Sequence, residues 1–125
     1  SDMDRAEHFW RRGIGFSSVS AGSVNGHRWS LLARKAPVSN WSLDVVLAES
    51  EPVRPEPLLD DAGFPCLALL STSLGRDTER LCREGGQLAA AEFQVEVNGK
   101  LLGVTLVRGP DGELIELISV RAPGR

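Results

Sequence analysis

The strongest constraint on this 125-residue sequence is that it repeats itself. Residues 1–13 (SDMDRAEHFWRRG) and 73–85 (SLGRDTERLCREG) align at an offset of 72, with Ser1 on Ser73, Glu7 on Glu79, Arg11 on Arg83 and Gly13 on Gly85. The offset persists downstream. Leu43-Asp44-Val45-Val46 falls on Ile115-Glu116-Leu117-Ile118, an apolar–acid–apolar–apolar pattern in both halves. Asn25-Gly26 and Asn98-Gly99, 73 apart, give each half the two positive-φ positions of a tight hairpin turn. Such a chain reads as two copies of one supersecondary unit.

Each unit reads in the same order. The first helix takes Ser1 or Asp2 as cap, Met3, Ala6, Phe9 and Trp10 as its apolar stripe and Gly13 as its stop. The second takes Ser73 as cap, Leu74, Thr78, Leu81 and Cys82 as its stripe and Gly85 as its stop. Strands are expected at 16–24, 27–34 and 41–48 in the first half, and at 89–97, 100–107 and 113–120 in the second. Between the halves, residues 51–62 are proline-rich and acidic, which favours an extended connector. The apolar run 64–71 (FPCLALLS) reads as a buried strand entering the second helix. One domain over 1–125 is thus expected, with module one at 1–50, a linker at 51–62 and module two at 63–121. The second unit is β-α-β-β-β, whereas the first starts at its helix. A sheet without that opening strand exposes a backbone edge, so the strand is expected to be truncated from this sequence or replaced by another chain.

Charge and cysteine usage narrow the class. Fourteen Lys and Arg against 17 Asp and Glu give a net charge of −3 with the bases scattered, so the footprint of a nucleic-acid binder is missing. No run approaches the ~18 apolar residues of a membrane span. Two cysteines, Cys66 and Cys82, fit a reducing cytosol rather than a disulfide scaffold, which makes a cytoplasmic location the expectation.

Residues 108–118 (RGPDGELIELI) carry a resemblance. They resemble the closing signature R-D-P-D-G-x-x-I-E-L of the glyoxalase, bleomycin-resistance and extradiol-dioxygenase (vicinal oxygen chelate) superfamily, with Gly109 in place of the first Asp. Residues 1–16 and 63–85 are also similar to that family's first helix and to its central strand and second helix. The resemblance implies an α+β fold in which two βαβββ modules pair into a cupped mixed sheet around a cavity. It implies a small organic ligand or substrate and a homodimer. In enzymatic members it implies a divalent metal ion that assists lyase, isomerase or dioxygenase chemistry. Carried onto this chain, Glu116 is the metal ligand and catalytic carboxylate, Asp44 is its counterpart, and Cys66 stands where a His is usual. The alternative is a metal-free protein that binds or sequesters an antibiotic-type molecule.

The residues themselves leave both alternatives open. Glu116 lies in an unbroken apolar run, and alternation puts it with Leu114 and Ile118 on one face, opposite Ile115 and Leu117. Asp44 is equally unexpected inside a strand. Cys66 fits either a thiolate ligand or a small buried hydrophobe. Trp29, Trp41 and Phe93 suit the wall of a site for a planar ligand, or a core. His8 and His27 lie outside any ligand-spaced motif and read as surface or hairpin residues. The sequence contains no tyrosine, which removes a phenolic acid from any mechanism.

Overall fold

A computed structural model describes residues 2–36, 40–49 and 66–121. The first half runs α1 (Met3–His8), a π-helical turn (Phe9–Ile14), β1 (Ser17–Val24), β2 (His27–Lys35) and β3 (Ser42–Ala48). The second runs β4 (Cys66–Leu70), α2 (Leu74–Arg83), β5 (Gln87–Val97), β6 (Lys100–Arg108) and β7 (Leu114–Arg121). The expected linker at 51–62 and the start of the expected strand at 64–71 lie outside the described residues.

The strands form two sheets, β1-β2-β3 and β4-β7-β6-β5. The duplication is visible in their pairing. Asp44 sits opposite Ala33 on β2, and Glu116 sits opposite Leu106 on β6. Both hairpins turn on Asn-Gly with positive φ at both positions, 51° and 80° at Asn25-Gly26 and 51° and 76° at Asn98-Gly99. That backbone twist matches the strands it joins, which is why the same dipeptide recurs. The second sheet is the first plus one strand: β4 lies parallel on the outer edge of β7.

One hydrophobic cluster spans both halves. Phe9, Ile14, Phe16 and Leu32 meet Leu74, Leu81, Val107, Ile115 and Leu117, all buried. Val45, Leu47, Leu67 and Leu69 pack around it. Polar contacts reinforce the junction. The Arg80 guanidinium donates to the Gly13 carbonyl at 2.9 Å, satisfying an acceptor at the end of the first helical segment, and is held by Asp77 at 2.7 Å. His8 is exposed, as read from sequence, and pairs with Glu84 across the same junction.

The helix start follows expectation at Asp2, whose side chain accepts from the Arg5 N–H. The stop does not. The helix widens into a π turn through Ile14, and Gly15 at φ 101° makes the left-handed exit. Gly13 serves close packing instead, since a Cβ there would lie 3.2 Å from Leu81 Cδ2. In the second half the expected stop holds, with Gly85 at φ 114°.

Candidate functional site

Register and burial sort the chemistry-bearing residues onto two sheet faces. In the four-stranded sheet Ile115 and Leu117 point into the core, so Glu116 points the other way. Parallel pairing brings Ala68 opposite Glu116 and places Cys66, two residues earlier, on that same face. The Cys66 thiol donates to Glu116 Oε2 at 3.6 Å. Phe93, opposite Val104 on β6, belongs to this face as well and is 42% exposed. Val104 and Leu114 share the face and are each only 4% exposed, whereas Leu70 and Val120, on the same face, remain accessible. Glu116 is half-buried among them.

In the three-stranded sheet Leu32, Val45 and Leu47 face the core, which turns Asp44, Val46 and Trp29 to the opposite side. Trp29 lies over Gly22 on β1, where a Cβ would sit 2.9 Å from its ring. Asp44 is exposed and accepts from Ser42 Oγ at 3.3 Å. Trp41 falls at neither place. It lines a cleft of about 270 Å³ between β3 and β4, together with Arg34, Lys35, Leu43 and the edge of β4 at 67–70. Sequence reading singled out Trp41 but not the other wall, because the meeting of two strand edges leaves no motif.

Burial raises the Cys66 thiol above its ordinary pKa, and the charge and hydrogen bond of Glu116 raise it further. The thiol therefore stays protonated at neutral pH and acts as a donor, not a nucleophile. Replacing Glu116 by Gln removes the charge, so Cys66 should ionise at lower pH. Alkylation by iodoacetamide at pH 8, read by mass spectrometry, is expected to become several-fold faster in Glu116→Gln.

A second carboxylate has an unusual setting. A Cβ at Gly109 would fall 1.7 Å from Glu113 Oε1, so the glycine that departs from the family signature makes room for this side chain. Glu113 Oε2 accepts from the Asp111 N–H at 3.1 Å, while Oε1 is buried without a hydrogen-bond partner. Burial is the main cause that raises the Glu113 carboxyl above its usual range. A raised folded-state value means stability is fullest below the unfolded value near 4.5 and is lost as pH rises through the folded one. Glu113→Gln is therefore expected to raise the melting temperature at pH 7, with the gain disappearing near pH 4.

The implied divalent metal can be tested on the donors present. Among the described residues no three His, Cys, Asp or Glu side chains stand close enough to share an ion. Cys66 and Glu116 are together, but Asp44 is bonded to its own strand on the other sheet. The described donors do not fit a metal held by three protein ligands.

Comparison with known structures defines the fold. A glyoxalase family protein from Bacillus cereus superposes with a TM-score of 0.69 at 16% identity, over 98% of this chain and 89% of that one. Glyoxalase I from Zea mays gives 0.67 at 18% identity over 94% of this chain, which spans 40% of the maize protein. An antibiotic binding protein from Streptomyces sp. CB03234, TnmS3, gives 0.56 at 20% identity over 97% and 88%. The chain has the glyoxalase fold, as the 108–118 signature implied. No family model and no curated protein matches the sequence. Among the described residues no helix is long and apolar enough to cross a membrane.

Proposed function

We propose that this chain is a binding module for a small organic molecule, held on the largely apolar face that carries Glu116, Cys66 and Phe93. The observation that supports it is the half-buried Glu116 carboxylate, whose thiol partner lies beside it on a face with nearly inaccessible Val104 and Leu114. An apolar surface with one or two convergent polar groups is the usual make-up of a small-ligand site. A carboxylate there favours a planar ligand that is cationic or rich in hydrogen-bond donors. The glyoxalase-fold antibiotic binding protein is in keeping with this reading.

Metal-assisted lyase, isomerase or dioxygenase chemistry is the second reading carried by the signature, and it lacks a three-donor set among the described residues. Thermal denaturation with a panel of cationic aromatic compounds, in the presence of a chelator, separates the two. A ligand at 100 times its Kd adds about 2.7 kcal/mol to the folded state. At least one compound is expected to raise the melting temperature of the wild type by several degrees, and Glu116→Gln should lose that shift. Stabilisation by divalent ions alone, abolished by the chelator, would overturn the proposal.

A further inference from the structure

The connection between β6 and β7 is built around a side chain. Residues 109–113 (GPDGE) close at their base, where the Gly109 N–H donates to the Glu113 carbonyl at 2.7 Å. The Gly112 N–H, in a residue whose φ of 84° favours glycine, donates back to the Gly109 carbonyl at 3.1 Å. Arg108 braces the turn by donating to the Gly112 carbonyl at 3.0 Å. Pro110 has no N–H to offer, and the Asp111 N–H is taken by Glu113 Oε2. Glu113 thus folds back across its own turn, and its Oε1 rests where a side chain at residue 109 would begin. Gly109 itself lies outside the left-handed region, so it is the carboxyl above it, not the backbone, that requires a glycine there.

Two influences compete at this carboxyl. Oε1 is enclosed without a hydrogen-bond partner, a setting that suits a neutral carboxyl and penalises a charged one. The backbone N–H groups of Glu113 and Asp111 favour the charged form, as does Arg5 on α1, while the Asp111 charge opposes it. Burial is the largest of these influences, so the recess holds the proton.

We infer that Glu113 is a proton-operated latch on the turn between β6 and β7. Protonated, it lies in the recess over Gly109 and pins the Asp111 N–H. Ionised, it gives its proton to solvent and leaves the recess for water, which supplies the hydration that the recess denies a carboxylate. Pro110, Asp111 and Gly112 are then freed, while the bond from the Gly109 N–H to the Glu113 carbonyl keeps the base of the hairpin closed. The closed form binds the proton more tightly than the open one, so the latch closes as pH falls and opens as pH rises. None of this involves Glu116, and ligand binding there can fail without affecting the latch.

The test is NMR of the ¹⁵N-labelled chain between pH 4 and pH 8, reading water exchange of single amides relative to the intrinsic exchange rate at each pH. In the wild type the Asp111 N–H is expected to lose at least tenfold of its protection as pH rises, while the Gly109 N–H keeps its own. Glu113→Gln is the neutral counterpart of the closed latch and should hold the Asp111 N–H protected throughout. Gly109→Ala places a methyl where Oε1 lies, so Asp111 should be unprotected even at pH 4, with the remaining spectrum reporting a folded protein. Asp111→Asn removes the other titrating group of the turn and should leave the transition in place. Constant protection of Asp111 in the wild type, or the same pH response in Glu113→Gln, would overturn the inference. So would a transition lost in Asp111→Asn, or a protected Asp111 at pH 4 in Gly109→Ala.

Discussion

Replacing Phe9 by alanine is expected to remove about 3–5 kcal/mol of folding stability, a large share of the ~5–15 kcal/mol available to a domain of this size. Phe9 is fully buried, and it stands where the first helical segment meets the second. Its ring touches the space above Gly13 and lies 3.0 Å from the point a Cβ at Gly86 would occupy. Deleting the ring therefore loses its transfer energy and opens a cavity whose walls come from both copies of the repeat. Rigid neighbours such as Leu81 and Val107, themselves buried, cannot collapse fully into that space. Urea denaturation followed by tryptophan fluorescence measures the effect. One cooperative transition at a lower midpoint is the expected outcome. A loss below about 1 kcal/mol would mean that the two copies do not depend on a shared core.

Gly86→Ala should be costly from the opposite direction, by overpacking, at about 1–3 kcal/mol. The added methyl would fall 2.8 Å from the Leu81 carbonyl oxygen and 2.8 Å from Val107 Cγ1. One of those contacts is backbone inside α2 and the other is a core side chain, so neither can step aside cheaply. Gly75, in the first turn of the same helix, has nothing within 4 Å of a Cβ. Gly75→Ala should therefore be neutral or stabilising by up to ~1 kcal/mol, because alanine restricts the unfolded chain and favours the helix. The pair of substitutions distinguishes steric crowding from a general glycine effect. Combining Phe9→Ala with Gly86→Ala should cost less than the sum, since the shortened residue 9 relieves one of the three clashes.

How legible was this in the sequence? The duplication carried most of the fold. An Asn-Gly pair in each half fixed both hairpins, and alternation in 114–118 correctly turned Glu116 away from Ile115 and Leu117. The π turn was not legible, because the apolar spacing of Phe9, Trp10 and Ile14 is compatible with an ordinary helix until the packing of Gly13 on Leu81 is known. The pairing of Cys66 with Glu116 depends on a parallel register between strands about 50 residues apart, which no local pattern encodes. Asp44 and Glu116 were expected to act together. Each occupies the position its repeat assigns, but the described contacts link Asp44 to Ser42 and Glu116 to Cys66. Local repeats specify faces, whereas the meeting of two faces depends on how the sheets are assembled. The room that Gly109 makes for Glu113 was invisible for the same reason: a missing side chain does not announce what fills its place.

The central claim is that a small molecule occupies the face carrying Glu116 and Cys66. Its most direct test is protection of Cys66 from alkylation by whichever compound raises the melting temperature, with Cys82, packed against the core, as internal reference. The account predicts that the compound slows modification of Cys66 at least tenfold while Cys82 is unaffected, and that the chelator changes neither. Equal modification of Cys66 with and without a saturating, stabilising compound would contradict it.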